Sequence, residues 1–331
     1  MSTPSEQRPV RELVPTGMLG GGFPELSIER GIERGADVIA VDGGSTDSGP
    51  YYLGTGRPKT TDEAVTRDLR ILITRAKAAG IPVLIGSCGT CGTDSGVEWI
   101  AGIVEQIAVD EGLHLTVACL YSEMQPDDLA VRLASGRIGP LEPSGPLDES
   151  TLRRCEHIVG LIGYEPFADA LTAGADVVLA GRATDTAVIA ALPLMRGCPP
   201  GPSWHAAKTA ECGGQCTTNP RLGGVLVEID AEGFTVEPLM ADSSCTPMSV
   251  AAHMLYENSD PFRMREPGGT LDTSDAVYEA LDARRVRVTG SRFEAADQYP
   301  QARGLGHCRL PGPQPLRHSR SACPRQHRDV A

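Results

Sequence analysis

Short apolar runs alternate with amphipathic segments along the first two-thirds of the chain. The runs ADVIAVD, IPVLIGS and ADVVLAG have the length and continuous apolar character of buried strands. Between the first two of these runs, apolar residues recur at helical spacing from about Thr61 to Ala79, and Gly80 ends this predicted helix. Strands that alternate with helices in this way predict an α/β fold with a mainly parallel, doubly wound sheet.

The pattern changes at Cys198, where loop-rich sequence surrounds the predicted strands GGVLVEID and RVRVTG and a helix near Ser249 to Glu257. We therefore predict an α/β domain over residues 10–197 and a loop-rich α+β second lobe over residues 198–299. Residues 300–331 have no hydrophobic periodicity and are rich in Arg, Pro, His and Ser. This composition predicts a disordered tail.

Composition narrows the classes of partner. The 331 residues carry a formal net charge of -13, which disfavours nucleic acid and anionic membranes as partners. The sequence has no apolar run of about 18 residues, and its first residues, MSTPSEQRPV, lack the apolar centre of a secretory signal. The ten cysteines are spread along the chain and do not resemble a secreted disulfide framework. We therefore expect a cytoplasmic protein.

A loop of small polar residues follows the first of these strands, in the stretch ADVIAVDGGSTDSGPYYLGTG. Its glycines permit a ligand to approach the main chain, while its carboxylates and hydroxyls offer hydrogen-bonding groups. Ligands of α/β proteins usually bind at the carboxyl ends of parallel strands. The candidate site residues in this loop are Asp42, Gly43, Gly44, Ser45, Thr46, Asp47 and Gly49.

A similar arrangement recurs in GRATDTAV, where polar residues follow the strand ADVVLAG and begin a helix. Arg182 suits a carboxylate or phosphate, because a guanidinium can bind it in a bidentate manner beside the helix dipole. Asp185 is a second candidate binding residue, although it is also the residue that would neutralise Arg182 within the fold. Thr184 has an ordinary structural role available to it as a helix cap.

Two further candidates lie in the second predicted lobe. Glu211 follows a helix and precedes a Gly-Gly pair, so it is a candidate acid or base if it is buried, and a surface helix residue otherwise. His253 lies on the predicted helix SVAAHMLYEN, where a histidine is more often a core residue than a catalyst.

The cysteines leave a metal site open as an alternative. Cys88 and Cys91 form a C-x-x-C, and Cys212 and Cys216 form a C-x-x-x-C. Four thiolates could bind zinc or an iron–sulfur cluster. Small cysteines in glycine-rich turns also serve as packing residues, and we expect that these four sulfurs do not converge. We therefore assign no metal ligand, and the sequence identifies no cofactor.

Several motifs in order resemble the acyclic terpene utilisation (AtuA-like) family. They are STDSGPYYLG, GRATDTAV, ECGGQ and the late run from CTPMSVAAHMLYENSDPF through REPGGTLDTSDAVYEALDARRVRVTGSRF. The resemblance extends from about Val10 to Tyr299. It implies a role in the breakdown of branched acyclic terpenoids and related acids, and it transfers no catalytic residue to this chain.

The resemblance stops at Pro300, where members of the family continue with a segment like Lys-Leu-Glu-Gly and this chain enters its arginine-rich tail. Codons allowed for Gln301 onward, read one base later, can spell that segment. The hypothesis is that a frameshift replaced the carboxyl-terminal part of the fold with an unrelated tail. Sequencing of the gene around Tyr299 tests it.

Together, the motifs and the resemblance predict an enzyme that acts on a small carboxylate or acyl-thioester by lyase or hydratase chemistry. Arg182 would bind the anionic group, Ser45 and the amides of residues 43–49 would stabilise an oxyanion, and Asp42, Asp47 or Glu211 would move the proton. The alternatives are a hydrolase of a related acid derivative, or a non-catalytic metabolite-binding subunit of a larger enzyme. A homo-oligomer and a companion subunit both remain open.

The topology also predicts where the candidate loops lie. Right-handed crossovers between parallel strands place successive strand ends on one side of a sheet. We therefore expect the loops at Asp42–Gly49, Ser87–Gly96 and Gly181–Asp185 to lie at the same sheet edge.

Overall fold

The computed structural model describes residues 8–44, 48–141, 145–256, 258–296, 302–306 and 328–330. Ser45, Thr46 and Asp47 lie outside these residues, as does most of the predicted disordered tail. The strands are β1 (Val10–Val14), β2 (Val38–Asp42), β3 (Val83–Gly86), β4 (Val117–Leu120), β5 (Cys155–Gly160), β6 (Val177–Ala180), β7 (Val225–Ile229), β8 (Gly233–Pro238), β9 (Arg263–Glu266), β10 (Gly269–Asp272), β11 (Val277–Ala280), β12 (Val286–Thr289), β13 (Arg292–Ala295), β14 (Ala302–Gly306) and β15 (Arg328–Val330). The helices are α1 (Glu25–Glu33), α2 (Pro50–Thr55), α3 (Asp62–Ala79), α4 (Asp94–Glu111), α5 (Pro126–Ala134), α6 (Glu149–Arg153), α7 (Glu165–Thr172), α8 (Ala187–Met195), α9 (Pro200–Ala210) and α10 (Pro247–His253), with a 3₁₀ turn at Gly213–Cys216.

A nine-stranded sheet with the order β11-β12-β8-β7-β1-β2-β3-β6-β4 forms the centre of the fold. Five neighbouring strands, from β1 to β4 in this order, pair in parallel. Every residue of β2, β3 and β6 is buried, because helices cover both faces of this part of the sheet. The predicted α/β fold class, with a large and mainly parallel central sheet, is confirmed.

The helices pack on opposite faces of this sheet, as in other doubly wound folds. One face, which includes Ile39 and Ile85, packs against apolar residues of α1, α3 and α4. The other face, which includes Ala40 and Leu84, packs against α7, α8 and α9. The predicted helix between β2 and β3 is present as α3; the Thr61 hydroxyl caps its amino end by accepting a hydrogen bond from Ala64 N.

The region after residue 198 extends the same sheet. Strand β7 pairs with β1 in antiparallel register, and β8, β12 and β11 follow in antiparallel order. Helix α9, which the local sequence pattern does not predict, packs over this part of the sheet and buries Trp204. A small antiparallel sheet, β13-β10-β9, lies in the same region.

One predicted strand has a different partner from the one that alternation suggests. The apolar run HIVGLIG also predicts a strand from the sequence, and its first four residues do lie in β5. However, β5 pairs with β14 in a separate three-stranded sheet and does not join the parallel strands. Four of its six residues are only partly buried or exposed, in contrast to those of β6. Among the described residues, none of the helices is long and apolar enough to cross a membrane.

Candidate functional site

The loops that follow β2, β3 and β6 contact one another at one edge of the sheet. Gly43 N donates to Gly86 O at 2.6 Å, Ser87 N donates to Gly181 O at 3.0 Å, and Arg182 N donates to Gly92 O at 3.0 Å. The predicted shared edge is therefore confirmed for the described parts of these loops.

Gly92 makes the closest of these approaches. Its φ of +68° lies in the left-handed region that favours glycine, and a Cβ there would lie 2.1 Å from Arg182 N. No larger residue fits at this position without separating the loop after β3 from the loop after β6.

Asp42 is the last residue of β2, and its side chain is buried at the sheet edge. Its Oδ2 accepts a hydrogen bond from Gly44 N at 3.2 Å. Burial, followed by the negative charge of Asp185, raises the pKa of Asp42 to about 8, although the positive charge of Arg182 opposes both effects. A carboxyl group with this pKa can either hold or release a proton near neutral pH.

Arg182 contacts the loops that follow β2 and β3 as well as its own loop after β6. Its side chain is buried, and Nη1 donates to Gly44 O at 3.3 Å and to Ser87 Oγ at 2.9 Å. Its Nη2 lies 3.3 Å from Asp185 Oδ1. The ion pair that the sequence offered as an alternative to ligand binding is thus present, and the guanidinium fixes the positions of three loops.

A second group of ionisable residues lies at the end of α9. Glu211 is buried and forms an ion pair with Lys208, one helical turn earlier. Glu266, on β9, accepts a hydrogen bond from Thr186 Oγ1 at 2.5 Å. Burial raises the pKa of Glu211 to about 8 and that of Glu266 to about 7. Burial also favours the neutral form of Lys208, but Glu211, Glu266 and Asp185 outweigh it and raise the lysine pKa.

Asp185 connects the two groups electrostatically. Its negative charge raises the pKa of Asp42 on one side and those of Glu211 and Glu266 on the other. The resulting cluster contains the carboxyl groups of Asp42, Asp185, Glu211 and Glu266 and the cations Arg182 and Lys208, and we call it the carboxylate cluster. With four acids and two cations, the cluster has an excess of acidic groups.

The loop after β1 anchors both parts of the carboxylate cluster. Leu19 N donates to Asp42 O at 2.8 Å. Two residues earlier in this loop, a Cβ at Gly17 would lie 2.9 Å from the backbone of Cys212, so the loop also packs directly against the residue that follows Glu211. The loop after β1 therefore contacts both Asp42 and the residue that follows Glu211.

Glu211 also belongs to a group of candidate metal ligands. Its carboxyl, the Cys212 thiol and the His253 imidazole each offer a ligand atom, and these atoms lie within 4.8 Å of one another. Burial lowers the pKa of His253 to about 4, and the charge of Lys208 contributes. Cys88 and Cys91 do not join this group, which is the one set of three such ligands within the described part of the chain.

Among the predicted site residues that the structure describes, four lie in one cluster: Asp42, Arg182, Asp185 and Glu211. Gly43 and Gly44 lie beside it, but their N–H groups donate to Gly86 O and to Asp42 Oδ2, so the fold already uses both. Gly49 precedes α2 with a φ of +88°.

Sequence reasoning missed Lys208 and Glu266. Lys208 carried a usable signal, since it lies three residues before Glu211 on the same helix. Glu266 carried none, because only the folding of β9 brings it to Thr186. A further polar pair was also missed: His157 Nδ1 lies 2.5 Å from Glu123 Oε1, beside the strand end that supplies Ser122.

Residues 56–301 match the family described as acyclic terpene utilisation family protein AtuA. The chain belongs to this family. The match covers most of the chain. Comparison with curated proteins and with solved structures gave no match. Membership of the AtuA family implies a role in acyclic terpene utilisation.

Proposed function

We propose that the protein is a cytoplasmic enzyme of branched or acyclic terpenoid acid breakdown that acts on a small carboxylate or acyl-thioester. The proposed reaction is of the lyase or hydratase type. Membership of the AtuA family supports the metabolic role. The chemistry rests on the carboxylate cluster, and the net charge of -13 supports a small-molecule substrate over nucleic acid.

The observation that carries this proposal is the geometry of the carboxylate cluster, in which Glu211 is paired with Lys208 and Glu266 accepts a hydrogen bond from Thr186. Asp42 and Glu211 have pKa values of about 8, and Glu266 has one of about 7. Lyase and hydratase reactions require a proton to be removed from one atom and delivered to another. General acid–base catalysis works best when the pKa of the catalytic group is close to the working pH.

The proposed roles follow from position for the described residues, and from the sequence alone for residues 45–47. Glu211 and Asp42 exchange the proton with the substrate, with Glu266 as a third group that can share it. Lys208 supplies positive charge for a carboxylate or a developing oxyanion, while Arg182 holds the loops and contributes to the local potential. Because the N–H groups of Gly43 and Gly44 are engaged in the fold, oxyanion stabilisation is assigned to Ser45, Thr46 and the amides that follow, with Asp47 as a further proton carrier.

The alternatives to this chemistry are a hydrolase, in which one of these carboxylates activates water, and a non-catalytic metabolite-binding subunit. A subunit that only recognises a metabolite would gain nothing from several carboxyl groups held against their ionisation. Both alternatives are separated from the proposal by product analysis, because hydrolysis releases a free acid without addition or elimination and a binding subunit gives no turnover.

The test is a screen of purified protein against short branched acids and their thioesters, followed by kinetics of Glu211→Gln and Asp42→Asn. Each variant keeps the side-chain shape and removes the exchangeable acid, so kcat should fall by about 10²- to 10⁴-fold. Glu105→Gln, at an exposed position of α4, is the matched control and should retain full kcat. Wild-type kcat in both Glu211→Gln and Asp42→Asn would contradict the proposal.

A further inference from the structure

Glu211, Cys212 and His253 come together because two short elements are held against each other. Glu211 and Cys212 follow the last turn of α9, and His253 is the last residue of α10. Thr246 and Ser249 form a capping box at the start of α10, and Ser249 Oγ also donates to Cys216 O at 2.8 Å. This bond ties α10 to the 3₁₀ turn that follows Cys212.

The same turn is fixed from the other side by the loop after β1. Gly213 has a φ of +61°, and a Cβ there would lie 2.7 Å from Gly17 N. The backbone that carries Cys212 is therefore confined between this loop and α10. The positions of Glu211 and Cys212 relative to His253 are therefore determined by the packing of this backbone.

The three side chains offer a carboxylate, a thiolate and an imidazole, which are the ligand types that zinc takes in proteins. Their ligand atoms, all within 4.8 Å of one another, need only small side-chain movements to surround one ion. Three protein ligands leave a fourth position for water or substrate, as in catalytic zinc sites. We propose that Glu211, Cys212 and His253 form a binding site for zinc or a similar divalent transition metal.

The neighbours of these three side chains and their exposure agree with this assignment. Lys208 donates a hydrogen bond to Oε1 of Glu211 and also interacts electrostatically with Glu266 and Asp185. It therefore keeps acidic partners when Glu211 binds a metal. Cys212 is only partly buried, which leaves a route for the ion.

This site differs from the four-cysteine arrangement considered from the sequence, and it replaces the expectation that no residue serves as a metal ligand. With an ion bound, Glu211 is a ligand, and the proton is exchanged by Asp42 and Glu266. The site is tested independently of the proposed reaction, since metal binding is measured without turnover. A protein that binds metal here and shows no lyase or hydratase activity would leave this site in place and overturn only the function.

The experiment is a titration of metal-free, reduced, full-length protein with Co²⁺, which reports thiolate coordination through a thiolate-to-cobalt charge-transfer band. We expect one Co²⁺ per chain, a charge-transfer band, and loss of that band on addition of Zn²⁺. Cys212→Ser should abolish the band. His253→Gln and Glu211→Gln should weaken Co²⁺ binding by at least the roughly 10- to 100-fold that loss of an outer-shell partner causes.

Cys119→Ser is the matched control, because Cys119 is a partly buried cysteine on β4 outside this group. It should keep both the band and the affinity, and circular dichroism checks the folding of every variant. A wild-type protein that gives no thiolate band, or a folded Cys212→Ser variant with an unchanged band, would overturn the site. Binding of Co²⁺ without the band and equally in all variants would show only non-specific attraction to acidic groups, and would overturn it as well.

Discussion

At the scale of single residues, two buried carboxyl groups oppose folding near neutral pH. Burial raises the pKa of Asp42 from its ordinary 3.8 to about 8, and it raises the pKa of Glu12 well above its usual range. A carboxyl whose pKa is higher in the folded protein takes up a proton on folding between the two values. The contribution of Asp42 to the free energy of unfolding therefore falls as the pH rises from about 4 to about 8.

The first prediction follows from this loss of stability with rising pH. Asp42→Asn and Glu12→Gln should both raise the urea midpoint at pH 8, and by less at pH 5, because neither amide has to be kept protonated. Glu12 lies on β1 away from the carboxylate cluster, so Glu12→Gln should leave turnover unchanged while Asp42→Asn reduces it. Urea unfolding at the two pH values and kcat for each variant are the measurements.

Asp128→Asn, at an exposed position of α5, is the control and should show no such pH dependence. If Asp42→Asn lowers stability at pH 8 relative to pH 5, then the carboxyl is ionised in the folded protein and the proposed proton carrier is misassigned.

Arg182 is the residue for which geometry changes the expected effect most. Its guanidinium reaches Gly44 O, Ser87 Oγ and Asp185 with two nitrogens, and an ammonium on a shorter, flexible stem cannot keep all three contacts. Arg182→Lys should therefore lower the free energy of unfolding by about 1 to 3 kcal/mol. Urea unfolding measures this, with Arg132→Lys at an exposed position as the control. Equal stability of both variants would mean that the arrangement of the three loops does not depend on the planar guanidinium of Arg182.

At the scale of elements, the local sequence pattern was enough to predict the parallel strands and part of the candidate site. Strand β2 and the loop that begins at Asp42 are adjacent in sequence, as are β6 and Arg182, so a continuous apolar run followed by polar residues was sufficient to locate them. Parallel topology then placed both at one sheet edge.

The rest of the site depends on pairings between distant segments. Glu266 meets Thr186 from 80 residues away, and its strand β9 has the short, half-exposed pattern of a surface hairpin. Strand β5 has an apolar run like that of β6, but the two join different sheets. Periodicity indicates which face of a strand is buried but not which strand pairs with it. These contacts therefore could not be predicted from the sequence.

The close approach of two loops gives the next prediction. Gly92 and Gly136 both have a φ of +68°, but a Cβ at Gly92 would meet the backbone of Arg182, whereas a Cβ at Gly136 meets nothing within 4 Å. Gly136→Ala should cost about 1 kcal/mol, the backbone penalty alone. Gly92→Ala should cost a further 1 to 3 kcal/mol, roughly the cost of overpacking, and should disturb the Arg182 contacts. Urea unfolding of both variants gives the difference, and equal losses would show that the two loops separate freely.

At the scale of the whole molecule, β1 is the strand on which the two halves meet. It pairs in parallel with β2 on one side and antiparallel with β7 on the other. One hydrophobic core runs across this junction, since it includes Val38 and Leu84 from the parallel strands together with Val225 and Phe234 from the antiparallel ones. The parallel strands and the antiparallel strands on either side of β1 therefore share a sheet and a core.

A shared core predicts a single cooperative unfolding transition. The chain has two tryptophans: Trp99 on α4 packs against the core of the parallel half, and Trp204 on α9 is buried over the other face between Tyr164 and Phe293. Trp204→Phe leaves Trp99 as the only fluorophore of its kind, and Trp99→Phe leaves Trp204. In each variant, the urea midpoint from tryptophan fluorescence should coincide with the midpoint from far-ultraviolet circular dichroism, as two-state unfolding requires. Substitution of the buried Trp204 lowers stability, so the comparison is made within each variant and not between them. If Trp204 fluorescence changed at a lower urea concentration than the circular dichroism signal, while Trp99 fluorescence changed at a higher one, residues 198–299 would unfold as a unit of their own. In that case, the antiparallel strands would add little to the stability of the parallel strands, despite their pairing through β1.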